Sequence, residues 1–367
     1  MPLAKHLWLL VRHSTKLQDF LKMSGAVRRK LYRFFCVILW RFSSEKMKPK
    51  LRIVLSHQHN PYLNLAVENG LLQRHEPNAV TLFLWRNERT VVIGANQNPF
   101  AECNLQAMAD DGVLLARRRT GGGAVFHDLG NLNFSFVADK SLYDVPRQMR
   151  VIQQALRHFG LETEVSGRND ITFDGRKFSG NAFGSTREQA LHHGTLLIKT
   201  DAEKMMRYLN VNRTKLQKHG VQSVASRVVN LSEVAPITAE NVVQPLIEAF
   251  RNVYENVAEV IDFDALCDAE TIAFSQKIRS EEYLLGCWRE FCAVRSGHFA
   301  WGSVAVDLRI DEQRGVISSA TIASDSLQPE AIAQAENLLK NAPTTAVPII
   351  PKGENQQFLK DIFSLIF

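Results

Sequence analysis

The 367-residue sequence has five cysteines, Cys36, Cys103, Cys267, Cys287 and Cys292, an odd number with no CxxC pair. That spacing argues against a disulfide framework or a zinc ribbon, and it fits a reducing compartment. None lies between Arg117 and Thr200. HExxH and GxSxG are missing, and so is the GK[ST] ending of a P-loop. A membrane span needs roughly 20 apolar residues, and the run from Phe34 to Trp40 supplies seven. Internal repeats and low-complexity tracts are lacking too.

Acid is scarce at one end only. Residues 1–50 hold 12 Lys and Arg against Asp19 and Glu45, a local charge of +10, so the rest of this +6 chain carries −4. A mildly acidic body lacks the electrostatic footprint of a general nucleic-acid binder. Within the basic end, Arg28, Arg29, Lys30, Arg33 and Arg41 alternate with Leu31, Phe34, Phe35, Val37 and Ile38. This pattern reads as a mitochondrial targeting presequence over 1–50 and places the mature chain in the matrix. The competing readings are a secretory signal, whose apolar core Leu7 to Val11 is short and soon followed by Arg12, and a basic helix on a membrane surface.

From Arg52 the pattern is mixed α and β. RIVLS, TLFLWRN, TVVIG, VLLARRR and GNLNFSFVAD read as strands, with an amphipathic helix in LNLAVENGLLQRH entered through Asn60-Pro61. Helices are expected near 101–110, 144–159, 201–209 and 238–256, and ALHHGTLLIKT as a strand. Asp174-Gly175 marks a two-residue turn, so 171–183 is expected to be a hairpin. Beyond NVAEVIDFDALCD the pattern restarts, with a hairpin in SVAVDLRIDEQRGVISSATI and helices near 328–340 and 355–366. The expected division is a catalytic domain at 51–258 and a smaller α+β accessory domain at 259–367.

Residues 117–136, RRRTGGGAVFHDLGNLNFSF, set three arginines beside three glycines. Gly121, Gly122 and Gly123 let main chain approach a ligand without Cβ interference, and exposed N–H groups there suit phosphate oxygens. GxGxxG fails because Phe126 holds the last glycine position. Strand alternation sends Arg117 and Arg119 to one face and Arg118 to the other, so at least one guanidinium faces a ligand side; a flexible turn with surface charges is the bland alternative. Lys177, just past the Asp-Gly turn, is either a rigidly aimed ligand lysine or a solvated hairpin lysine. His192 and His193, adjacent in a strand, point to opposite faces and cannot chelate one metal together.

NPYLNLAVENGLL, VVIGANQNPFAECN, LARRRTGGGAVFHDLGNLNFSF, GRNDI, RKFSGNAF, HHGTLL and GVQSVASRVVNLSE, in this order over roughly 60 to 235, resemble the lipoate-protein ligase and lipoyltransferase family. The resemblance implies an α+β fold with a mixed-sheet catalytic domain of the biotin/lipoate-protein ligase type. It implies activation of lipoate by ATP and Mg2+ to lipoyl-AMP, then transfer to a lysine of a lipoyl domain, on 2-oxoacid dehydrogenase E2 subunits or the glycine cleavage H protein, by a monomer. By resemblance Lys177 is catalytic and contacts the carboxyl and phosphate oxygens, and Arg118 meets phosphate. Gly123, Ala124, Val125 and Phe126 line the nucleotide and lipoyl site, and Gly121, Gly122, His127, Ser179 and His193 join the ligand-binding set. Asn169 and Asp170 lie near the nucleotide, with Asp170 the Mg2+ contact. Val125, Phe126 and Phe183 are candidates for an acyl tunnel. Departures from the family pattern are Phe178 and Asn181 in RKFSGNAF and Phe100 in place of a tryptophan.

The chemistry suits these residue types: joining two anions calls for fixed cations that offset repulsion, and a thioester route calls for a thiolate near the acyl site. The alternatives are a transferase that takes preformed lipoyl-nucleotide and, from another class, a non-catalytic acyl-adenylate-binding regulator.

Overall fold

The computed structural model describes residues 48–167, 169–210 and 228–367. Most of the segment expected to be a presequence, Arg168 and most of the GVQSVASRVV segment lie outside the described residues. Fourteen strands are formed among those described: β1 (Lys50–Leu55), β2 (Ala79–Trp85), β3 (Thr90–Ile93), β4 (Leu114–Arg117), β5 (Val125–His127), β6 (Asn131–Asp139), β7 (Glu164–Ser166), β8 (Asp170–Phe173), β9 (Arg176–Ser185), β10 (Gln189–Leu197), β11 (Ala258–Ile261), β12 (Arg295–Phe299), β13 (Gly302–Asp311) and β14 (Val316–Ser324).

Eight of them make one mixed sheet in the order β11-β1-β2-β6-β10-β9-β8-β7. β1 runs parallel to β2 and β11, whereas β2, β6, β10, β9 and β8 are antiparallel neighbours. This is the expected α+β, mixed-sheet architecture. One face carries the helices Val145–Arg157 and Val243–Tyr254, and Leu82, Phe134, Phe136, Ile152, Leu246 and Phe250 close the main core there. Against the other face lie the helix Pro61–Gln73 and the small sheet β4-β3-β5, with Leu65, Phe83, Trp85, Val92 and Leu191 between them.

The helix Pro61–Gln73 starts as its sequence dictates. Asn60 Oδ1 accepts from the N–H groups of Tyr62 and Leu63, and Pro61 occupies the first turn, where no N–H is required. Its buried face includes Asn64 and Glu68, one helical turn apart and aimed at the sheet. The Asp174-Gly175 turn has φ values of 50° and 70°, the left-handed pair of a tight hairpin turn. The helix expected near 101–110 is two short ones, Pro99–Glu102 and Leu105–Asp110, broken at Cys103.

The domain change comes later than position 259. β11 completes the open edge beside β1, and the helix Ala269–Arg279 buries Ile278 in the same core as Leu65 and Phe83. A strand that returns to a distant edge looks, in sequence, like the start of something new. The separate layer is the three-stranded sheet β12-β13-β14, whose own core includes Val306, Ile322, Ile332, Leu359 and Phe363. Residues 49–367 form one compact unit.

Candidate active site

On the β3–β5 side of the large sheet lies a cavity of about 160 Å³. Strand register sets its floor. Asp170 pairs with Gly180, Gly180 N–H donates to Thr195 Oγ1 at 3.3 Å, Thr195 pairs with Asn133 and Asn133 with Trp85. These five residues form a row across β8, β9, β10, β6 and β2. Leu65 and Val92 add apolar wall, and Val125 faces the same space from β5.

Lys177 stands at the mouth. A register shift between Ile171 and Thr172 puts an extra residue, Phe178, into β9, and the bulge re-aims the lysine. Its Nζ lies 2.7 Å from Asp170 Oδ1, with side chains 38% and 35% exposed. A Cβ on Gly180 would come within 2.9 Å of that Nζ, so glycine is what lets the ammonium lie over the strand. Asn181 braces the mouth: its Nδ2 donates to Asn169 O at 2.9 Å, and Asn169 Nδ2 donates to Asn181 O at 2.7 Å. With its amide thus oriented, Asn181 Oδ1 accepts from His192 Nε2 at 2.9 Å. The asparagine that departs from the family pattern thereby ties the mouth to the core histidine.

Over the cavity runs the glycine loop, held from behind. Ser135 Oγ donates to Glu68 Oε1 at 2.5 Å, and His193 Nδ1 donates to the same oxygen at 2.8 Å. His193 Nε2 meets Thr120 Oγ1 at 2.8 Å, and Arg118 Nε donates to Thr120 Oγ1 at 3.1 Å. Arg118 also donates to Gly121 O at 2.7 Å, Gly123 O at 2.8 Å and Val92 O at 3.2 Å. From the accessory layer, Ser326 O accepts from Gly122 N–H at 2.9 Å, and a Cβ on Gly121 would lie 2.0 Å from that oxygen. Gly122 has φ 93°, a left-handed conformation that bulkier residues resist.

Of the residues singled out in the sequence, Arg118, Gly122, Gly123, Ala124, Val125, His127, Asn169, Lys177 and His193 line this cavity. Six expectations need correction. Arg118 was expected to face phosphate, but its guanidinium is spent on loop carbonyls, so here it shapes the loop. Phe126 points away, packing its ring 5.4 Å from that of Tyr208, because strand alternation puts it opposite Val125 and His127. Ser179 is fully buried beneath the floor, and Gly121 faces the accessory layer. Phe183, a tunnel candidate, packs its ring at a tilt against His192, with centroids 5.1 Å apart. Arg117 and Arg119 were expected on one face, but β4 ends at Arg117 and alternation stops there. Arg117 is buried and donates to Gly94 O, Ala95 O, Gln97 O and Leu284 O, while exposed Arg119 donates to Asn69 Oδ1 at 2.8 Å.

Trp85, Asn133, Thr195, Gly180 and Glu68 were not singled out as site residues. Asn131, Asn133 and Ser135 alternate with Leu132, Phe134 and Phe136 in a strand covered on both sides. Polar residues at every second position of a doubly buried strand are the signal.

Burial and the charge of Arg118 push His127 down to about 3, and burial does the same to His192, so both rings are neutral near pH 7. Cys103 is buried and its thiol is pushed up to about 12, opposite to what a nucleophile needs. Among the described residues no three His, Cys, Asp or Glu side chains converge as a metal site. Asp170 as a single rim carboxylate fits Mg2+ carried in on nucleotide phosphates, the usual way that ion is held.

The lipoyl protein ligase A/B catalytic domain family matches residues 60–251, and the bacterial lipoate protein ligase C-terminus family matches 289–363. A lipoate-protein ligase A of Bdellovibrio bacteriovorus is 42% identical over 291 residues, 77% of this chain and 85% of that one. The structure of P. falciparum LipL1 in complex with lipoate is similar with a TM-score of 0.74 and 30% identity, covering 86% of this chain and 98% of that one. A lipoate-protein ligase A bound with ATP is similar with a TM-score of 0.54 and 25% identity, covering 65% and 99%.

Proposed function

The chain belongs to the lipoyl protein ligase A/B family, and on that premise we propose that its cavity activates lipoate with ATP to lipoyl-AMP and then passes the lipoyl group to a lysine of a lipoyl domain. The observation that carries this reading is Lys177: one ammonium held over Gly180 at the mouth of a cavity with apolar Leu65, Val92 and Val125 behind it. A carboxylate drawn to Lys177 leaves its chain pointing inward, where each buried CH₂ is worth about 0.8 kcal/mol.

In the first step a carboxylate oxygen forms a bond to the α-phosphorus, and the bond to the β-phosphate oxygen breaks, releasing pyrophosphate. Lys177 offsets the repulsion between the two anions and stabilises charge on the non-bridging oxygens. Mg2+, held by Asp170 and the phosphates, would neutralise the departing pyrophosphate. In the second step the acceptor amine attacks the acyl carbon, the C–O bond to phosphate breaks, and AMP leaves, its phosphate oxygen being the acceptor at hand for the amine proton. Lys177 serves the same oxygens in both steps.

The acceptors on this reading are the lipoyl domains of 2-oxoacid dehydrogenase E2 subunits and the glycine cleavage H protein, met by a monomer in the mitochondrial matrix. The basic composition of residues 1–50 supports that location. A second reading, transfer from preformed lipoyl-nucleotide, draws on the loop: Arg118 and the Gly122 N–H are already engaged by protein carbonyls, so gripping a triphosphate requires those contacts to open. Incubating the chain with lipoate, ATP and Mg2+, with and without a lipoyl domain, separates the two. Pyrophosphate release followed by acceptor acylation supports the ligase. Acylation only from supplied lipoyl-AMP, with no pyrophosphate from ATP, supports the transferase.

A further inference from the structure

Two buried polar groups in this cavity have nothing to bind. His127 Nε2 and Asn133 Nδ2 lack any hydrogen-bond partner, and their residues are only 3% and 2% exposed. Both residues line the cavity. Unpaired buried donors are rare and costly, and a native pair in one pocket calls for a ligand.

The chemical state of His127 follows from fixed neighbours. Asn64 Nδ2 donates to Arg86 O at 3.0 Å, and the same amide donates to Asn87 Oδ1 at 3.1 Å. Asn87 therefore turns its Nδ2 toward His127 Nδ1, 3.2 Å away, which must accept. A neutral imidazole that accepts at Nδ1 carries its proton at Nε2. Neutrality agrees with the depression of its pKa by burial. On the floor, Asn131 Nδ2 donates to Asn133 Oδ1 at 2.9 Å and so leaves the Asn133 NH₂ as the unused end. Both orphan groups are thus uncharged donors.

Register gives their depth. From Gly180, over which Lys177 lies, Asn133 is two strands inward, with β10 between. Two strand spacings are about 9 to 10 Å, the order of reach of an extended acyl chain whose carboxylate is at Lys177 and whose tail is at Asn133. Trp85 comes next along the row, and its ring meets that of His127 edge-on at 6.1 Å. The inner end of the cavity, past the apolar Leu65, Val92 and Val125, is therefore a pair of neutral donors against an aromatic wall.

We propose that His127 and Asn133 are specificity-determining residues that donate to the dithiolane sulfurs of lipoate and thereby select it over a plain fatty acyl chain of the same length. The inference rests on the reading of the cavity as a lipoate site and deepens it. Sulfur is a weak acceptor, so the discrimination comes less from what lipoate gains than from what octanoate loses. A chain that fills the pocket closes these buried donors off from any other partner, and a CH₂ chain leaves both unpaired. A site built to hydrogen-bond a substrate rejects an analogue that lacks the partner far more strongly than one built on shape alone.

The test is calorimetric binding of lipoate and octanoate to the full chain, followed by adenylate formation from each acid. Wild type should favour lipoate about tenfold or more in Kd. Asn133→Leu, close in shape but without the donor, should weaken lipoate, tighten octanoate and bring the ratio near one; His127→Phe, a second variant, should move it the same way. Equal binding of the two acids by wild type overturns the selectivity inference and leaves the lipoate site standing. Binding of neither acid overturns the site itself, and the inference with it.

Discussion

Lys177 Nζ and Asp170 Oδ1 lie 2.7 Å apart across β9 and β8, directly over the backbone of Gly180. The pair is half-exposed, so its strength as an ion pair is small. Its significance is placement: Asp170 holds the ammonium where an incoming carboxylate or phosphate can take it over. Gly180→Ala puts a methyl group 2.9 Å from Nζ and 3.0 Å from Cε and must displace the lysine. The expected result is a fall of about 10- to 100-fold in kcat, since misplacement by an ångström is that costly, with a melting temperature equal to or above wild type, because Ala suits a strand better than Gly. Steady-state kinetics beside a thermal melt checks both halves.

The position and state of the thiols argue that no acyl-cysteine forms. Cys103 is buried with its thiol pushed up to about 12, and Lys177, His127 and His193 line the cavity without a cysteine beside them. A variant with all five cysteines changed to serine should retain lipoyl transfer within a fewfold of wild type. Trapping of a thioester on Cys103 by mass spectrometry would contradict this.

His127 and His192 make stability depend on pH. Each is held near 3 in the folded chain against 6.5 for a free ring. As pH falls from 6.5 toward 3 the unfolded state binds protons that the folded state does not, so stability declines through that window, by about 1.4 kcal/mol per pH unit for each ring. Proton uptake on unfolding at pH 5 should include both rings. An NMR titration showing either ring protonating near 6.5 in the folded protein would sink the assignment.

The basic segment 1–50 is expected to direct import and to be dispensable for chemistry. Fusing it to a reporter should deliver the reporter to the mitochondrial matrix, and the chain without it should keep its specific activity. A cytosolic or secreted reporter rules the targeting role out.

Much of this was legible in the sequence because local signals agreed with the fold. Asn60-Pro61 starts a helix, Asp174-Gly175 turns a hairpin, and the glycine run forms a loop over the cavity. What could not be read depends on contacts between distant segments. Nothing local distinguishes Asn133 from a solvated strand residue until β3–β5 and the helix Pro61–Gln73 cover it. Arg118 resembles a phosphate ligand until the carbonyls of Gly121 and Gly123 fold back on it. Likewise β11 finds its partner some 200 residues away, a pairing that no periodicity reports.

The central claim is that one ammonium serves both half-reactions, and Lys177→Ala tests it most directly. Pyrophosphate release with lipoate and ATP, and acceptor acylation from supplied lipoyl-AMP, are measured separately on the same folded variant. Loss of a preorganised charge costs about 3 to 4 kcal/mol once bound substrate shuts water out, so each rate should fall by about 10² to 10³, with Lys177→Arg failing to restore either because its planar fork is differently directed. Near-normal rates in both half-reactions would mean that Lys177 is a solvated hairpin residue and that the site has been placed wrongly.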